Sequence, residues 1–241
     1  MLKFVVSCEH ASRSVPRAWQ SLFRGSDNVV ESHRGYDVGA RELARALAKT
    51  LHAPLFEGGV TRLLVDLNRP LHHPHVFSEF TRELDGREKQ RLISAFHEPH
   101  WTGVSDRIQR SLRRGNTVVH LSIHSFTPYL AGQRRNASVG LLYDPSRPRE
   151  TALCAAWQGQ LAQRIGGSNV RRNYPYRGAA SGLTSSLRRR FESRRYLGVE
   201  VEINQALVGP RGWLSRLEAD LASALHEATR LLRFSRMNTN S

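Results

Sequence analysis

The sequence predicts a single α/β domain with a mixed, largely parallel central sheet and helices on both faces. Three observations carry this. Apolar runs of strand length recur, and residues 117–124 form one that no charge interrupts. Amphipathic segments with helical period alternate with those runs along the whole chain. The 241 residues, 39% hydrophobic and 24% charged, suit one folded core, with no internal repeat and no low-complexity linker.

Residues 2–8 read as the first strand, and 11–28 as irregular, broken by Pro16. A helix over 37–51 carries the stripe Leu43, Leu47 and Leu51, with Asp37 placed to cap it. Residues 54–56 and 60–66 read as strands joined through Gly58-Gly59, and Asn68-Arg69-Pro70 opens a His- and Pro-containing loop over 70–85. Helices are expected over 87–98 and 104–114, then the strand 117–124, stopped by Thr127-Pro128. A strand over 138–143, a helix over 150–165 ending at Gly166-Gly167 and a short strand over 170–173 follow. A Gly/Ser-rich loop spans 174–186, and the last strand spans 197–203. The final helix, 213–232, aligns Leu214, Leu217, Leu221, Leu225, Ala228 and Leu232 on one face. The domain is expected to occupy 1–234, with 235–241 a flexible tail.

The formal charge is +15, from 36 Lys and Arg against 21 Asp and Glu, so nucleic acid is considered as a partner. The clusters at 113–114, 134–135, 171–172, 188–190 and 194–195 are scattered and lack interleaved aromatics. They read as solvated surface, with an anionic substrate as the middle reading. No apolar run is long enough for a bilayer, and the first ten residues do not have the form of a signal peptide, so a cytoplasmic protein is expected. Cys8 and Cys154 imply no disulfide; Cys8 reads as a buried strand residue, with a reactive thiol as the rival. Oligomeric state is left open.

Ligands of open α/β sheets bind past the carboxyl ends of strands. Here three strands end in reactive groups: Glu9-His10, His124-Ser125, and Glu200, Glu202 and Asn204. His10, His124 and Asp37 make a set for zinc or another divalent metal with an open position. Glu202 or Glu200, on one strand face by period 2, would take a proton from water. The competing structural roles are specific: Asp37 as a helix cap, each histidine as a core residue, one glutamate as surface. Arg62 and Asn68-Arg69 offer forked donors for a carboxylate or an oxyanion. His72-His73-Pro74-His75 lies in an unconstrained loop, and Pro99 interrupts His97-Glu98-Pro99-His100; both read as surface or rim features.

The motifs Ser7-Cys-Glu-His-Ala11, Gly35-Tyr-Asp-Val-Gly-Ala40, Thr61-Arg-Leu-Leu-Val-Asp-Leu-Asn-Arg-Pro70, Ile123-His-Ser125, Asn173-Tyr-Pro-Tyr-Arg-Gly178 and Val201-Glu-Ile-Asn204 stand in this order. Over residues 5–208 they resemble the N-formylglutamate amidohydrolase family. That resemblance implies a phosphorylase/hydrolase-like, zinc carboxypeptidase-like fold and a metal-dependent hydrolase acting on a small anionic N-acyl amino acid. It implies His10 and His124 as metal ligands, with Asp37 as the acidic ligand and Glu9 its rival. It makes Glu202 the base, with Glu200 beside it, and Arg62 the carbonyl-polarising group. It assigns the substrate to Asn68, Arg69, Ser125, Asn173, Tyr176 and Arg177. The chain departs from the family's histidine-utilisation members in having Glu-His rather than Pro-His at the first ligand, so it resembles the broader branch, and it has Arg13 where a carboxypeptidase has its ligand glutamate. Two other readings stay open: a metal-free amidase using Cys8 or Ser125 with His124, and an Arg-rich nucleic-acid-binding protein on a hydrolase scaffold.

Overall fold

The computed structural model describes residues 1–237. In chain order its strands are β1 (Leu2–Cys8), β2 (Leu55–Glu57), β3 (Thr117–Phe126), β4 (Tyr129–Leu130), β5 (Gln133–Arg134), β6 (Val139–Leu142), β7 (Val170–Arg172) and β8 (Tyr196–Asn204). Its helices are α1 (Asp27–Val30), α2 (Ala40–Thr50), α3 (Gly86–Leu92), α4 (Glu98–Arg113), α5 (Pro148–Ile165), α6 (Leu183–Arg190) and α7 (Trp213–Met237). One six-stranded sheet has the order β2-β1-β3-β8-β6-β7, while β4 and β5 form a separate hairpin. Strands β2, β1, β3 and β8 run parallel, β6 is antiparallel to β8, and β7 follows β6. The mixed, mainly parallel sheet is as expected.

Period-2 alternation divides the sheet into two unlike faces. Val6, Cys8, Val119, Leu121, Ile123, Leu197, Val199, Val201 and Ile203 pack into the main core with α2, α5 and α7. The opposite face carries Ser7, Glu9, His120, Ser122, His124, Glu200 and Glu202 (Glu200 half-buried, the rest buried), roofed through Val104, Ile108, Leu183 and Leu187 of α4 and α6. The chain leaves β1 toward β2 on one side and returns as β3 on the other, so the winding reverses between β1 and β3. That crevice is where open α/β sheets bind ligands.

Several expectations are corrected. Residues 60–66 are turns, not a strand: Val60, Leu63, Leu64, Val65 and Leu67 bury themselves against Trp19, Phe23, Val30 and Leu92 in a second core, and their backbone bonds to loops instead of the sheet. The stretch read as irregular holds a 3₁₀ turn, Arg17–Phe23, and α1. The helices expected over 87–98 and 104–114 are one continuous run over 86–113, linked by a π turn at Ile93–His97. Pro99 falls in the first turn of α4, directly after the π turn, and the run continues through it. His97 and His100 are accordingly buried rather than at the surface. α6 begins inside the expected loop over 174–186. α7 continues through residues 235–237 of the expected tail, whereas 238–241 and the Leu232 side chain lie outside the described residues.

Asp37 is not a cap. Helix α2 starts at Ala40 behind Gly39 in the left-handed region (φ +79°), which leaves the Asp37 carboxylate free to face the sheet. Arg188, expected on the surface, is buried: it donates to both oxygens of Glu150 and to the carbonyls of Gly178 and Gly198. Arg195 likewise caps the carbonyls of Asn116 and Leu112.

Candidate active site

β1 delivers Glu9 and His10, β3 delivers Ser122, His124 and Ser125, and β8 delivers Glu200 and Glu202 to the polar end of one sheet face. Asp37 joins them because the Asp37 N–H donates to the His10 carbonyl (3.0 Å). His10, Asp37 and His124 form the group among the described residues that could hold a metal ion, with their ligand atoms within 4.8 Å of one another. Asp37 Oδ2 lies 3.2 Å from His10 Nδ1 and 2.8 Å from His124 Nδ1.

The outer edges of both imidazoles are tied. His10 Nε2 lies 2.7 Å from Asp66 Oδ1, and His124 Nε2 lies 3.1 Å from Glu9 Oε2 and 2.9 Å from Ser122 Oγ. A histidine whose outer nitrogen donates to a carboxylate presents a bare lone pair on the other one, the usual support of a metal-ligating imidazole. The donor set therefore fits a first-row divalent ion: two imidazoles and one carboxylate converge, and each ring is braced from behind.

The electrostatics agree. Burial alone would raise the pKa of Asp37, but the imidazoles of His10 and His124 outweigh it and hold the carboxylate well below its ordinary range. Burial would lower His124, yet Asp37 and Glu9 drive it well above a free histidine. For His10, burial and Arg62 push downward, and Asp66 and Asp37 reverse the balance. Three buried carboxylates around two imidazoles make a pocket that favours positive charge.

A cavity of about 250 Å³ opens over this set, lined by Arg62, Asn68, Arg69, Ser125, Tyr176, Arg177, Glu200 and Glu202 as well as the three residues above. Glu202 is buried, and its Oε2 has no hydrogen-bond partner. Burial, partly offset by His124, pushes its pKa up to about 8. Glu200 differs: it accepts a short hydrogen bond from Thr184 Oγ1. Arg62 bonds Asp66 (2.9 Å) and approaches Asp37 (3.5 Å).

A family model for N-formylglutamate amidohydrolase matches residues 2–208. The chain belongs to the N-formylglutamate amidohydrolase family. Membership makes it an amide-cleaving hydrolase. Among solved structures, a gene product of Agrobacterium tumefaciens, Atu2144, is similar at 30% identity and a TM-score of 0.82, over 96% of this chain and 92% of that one. The N-formylglutamate amidohydrolase of Ralstonia eutropha JMP134 shares the fold at 19% identity and a TM-score of 0.68, over 96% and 94% of the two chains. No curated protein matches.

In this member of the N-formylglutamate amidohydrolase family, Asn173 does not line the cavity. It adopts φ +50°, and its Oδ1 accepts the N–H groups of Tyr143 and Gly178, each at 3.0 Å, which holds the loop bearing Tyr176 and Arg177. Gly140 makes room for that loop, because a Cβ there would stand 1.8 Å from the Tyr174 carbonyl oxygen. Asn68 is shared: Oδ1 accepts from the Leu183 N–H at the start of α6, and Nδ2 lies 3.5 Å from His124 Nε2. Arg69 donates to the Ser181 carbonyl at 2.7 Å. Ser125 Oγ accepts from Gln205 Nε2 at 3.0 Å.

The thiol alternative finds no support. Cys8 packs in the core on the opposite sheet face, and burial raises its pKa well above normal. A Ser125–His124 pair lacks the nucleophile–base hydrogen bond, since both His124 nitrogens face other partners. The sequence reading left Asp66, Ser122 and His100 without roles. Ser122 had one available signal: it precedes His124 by two residues and so shares its strand face.

Proposed function

We propose that this family member hydrolyses the amide bond of a small anionic N-acyl amino acid, of the N-formylglutamate kind, using a divalent metal held by His10, Asp37 and His124, zinc first. The observation that carries the reading is the convergence of two Nδ1 atoms on Asp37 Oδ2 while Asp66 and Glu9 brace both Nε2 atoms. When bound, the ion supplies Lewis acidity to a water and to the scissile carbonyl.

The protein's own groups do the rest. Glu202 takes a proton from the attacking water on Oε2, the oxygen without a partner, and returns it to the leaving nitrogen. Arg62 faces the oxyanion that develops as the carbonyl is attacked; removing such a donor typically costs on the order of a hundredfold in rate. Asn68, Arg69, Ser125, Tyr176 and Arg177 surround the amino-acid part, with the arginines toward its carboxylate. Glu200, bonded to Thr184, shapes the wall beside the base.

Elemental analysis of purified wild type and His124→Ala tests this, followed by a screen of N-formyl and N-acyl amino acids. About one zinc per chain, lost in the variant, together with turnover of an N-acyl acidic amino acid, is expected. A wild type that turns over substrate while refusing every divalent metal would sink the reading.

A further inference from the structure

The carboxylate of Glu9 has no solvent contact and does not line the cavity, yet it sits in a buried polar cluster behind the site. β1 and β3 pair in parallel with Ser7 beside Ser122, so continuing that register sets Glu9 beside His124. Gly58 lets this happen: its N–H donates to the Cys8 carbonyl (2.8 Å), and a Cβ on it would lie 2.0 Å from the Glu9 carbonyl oxygen. Glu9 Oε2 then accepts from Ser122 Oγ (2.6 Å) and lies 3.1 Å from His124 Nε2, while Oε1 lies 3.4 Å from His100 Nε2 of α4.

Glu9 and Asp37 face opposite edges of the same imidazole ring, Glu9 at Nε2 and Asp37 at Nδ1. Ser122 commits its single hydrogen to Glu9, so toward His124 both Ser122 Oγ and Glu9 Oε2 are acceptors. Nε2 is thus braced by Glu9 and Ser122, while Nδ1 on the other edge points at Asp37 and the metal set. We propose that Glu9 is a positioning residue, not a ligand: with Ser122 and His100 it locks the ring angle of His124 and so sets the metal affinity of the site. The proposal rests on the metal reading above. It settles the choice between Asp37 and Glu9 by which edge of His124 each one faces.

The test compares wild type, Glu9→Gln and Glu9→Ala by competition for zinc against a chromophoric chelator, and by kcat and KM at saturating zinc. Glu9→Ala is expected to bind one zinc 10- to 100-fold more weakly, on the scale of lost outer-shell partners. KM at saturating zinc should be unchanged. Glu9→Gln, which keeps an acceptor oxygen and the shape, should lose less, and it carries the comparison if Glu9→Ala does not fold. Unchanged zinc affinity in both variants would overturn the proposal. So would total loss of zinc in Glu9→Gln matching His124→Ala, which would make Glu9 a ligand. A wild type that binds no zinc would remove the metal reading itself, whereas unchanged affinity in variants of a zinc-binding wild type removes only the positioning role.

Discussion

Glu200 and Glu202 are two residues apart on one strand face, and chemically they are unlike. Thr184 satisfies Glu200, whereas burial holds Glu202 near pKa 8 with one oxygen unpaired. Glu202→Gln should therefore keep its metal and lose turnover by roughly 10²- to 10⁴-fold, read by elemental analysis beside a single-turnover assay; full activity in that variant would reassign the base. His120 shows the opposite use of burial. Packed between Ser7 Oγ (2.7 Å) and the Tyr196 hydroxyl (2.9 Å), it is driven by desolvation down to about 4. The folded state thus resists protonating it, and its contribution is present above the unfolded value near 6.5 and lost as pH falls toward 4. The stability advantage of wild type over His120→Gln in urea unfolding should shrink by up to about 3 kcal/mol between pH 7 and pH 4. An advantage that does not change with pH would contradict a neutral buried imidazole.

Among the elements, β3 and β8 were the easiest to read, because a buried parallel strand is an apolar run with few interruptions. The interruptions carried the information: Ser122, His124, Glu200 and Glu202 fall at period 2 on one face. Residues 60–66 looked equally strand-like and are not, since apolar content does not reveal which core the segment enters. The arginine-rich helix α6 was missed for a related reason: its charges read as surface, while Arg188 turns inward to Glu150. Arg188→Ala should destabilise the protein by about 3–5 kcal/mol by leaving Glu150 buried and unpaired. Chemical denaturation reads this directly, and a loss below about 1 kcal/mol would place Arg188 with the solvated arginines.

Across the molecule, the site occupies the crevice where the winding of the sheet reverses, between β1 and β3, closed from the side by the loop over 60–69 and from above by the loop over 173–182. A metal bound by His10, Asp37 and His124 would tie three separate chain segments together and stabilise the folded state by mass action. Zinc at a hundredfold excess over its dissociation constant should add about 2.7 kcal/mol, and chelation should reverse it. Differential scanning calorimetry with and without chelator measures this, and His10→Ala should abolish the difference. No helix among the described residues is long and apolar enough to cross a membrane.

The sequence was sufficient for the alternation of strands and helices, for the residues at the strand ends, and for the motifs shared with the family. All of these are local: a period of 2 or 3.6, or a few adjacent positions. The sequence could not tell which group braces which. His10 meets Asp37 across 27 positions and Asp66 across 56, His124 meets Asp37 across 87, and Glu9 meets Ser122 across 113. Such pairings arise only when the sheet register and the loops are in place. That is why the sequence left Asp37 open as a helix cap and Glu9 as its rival for the ligand role, while the fold sets the two carboxylates on opposite edges of one imidazole.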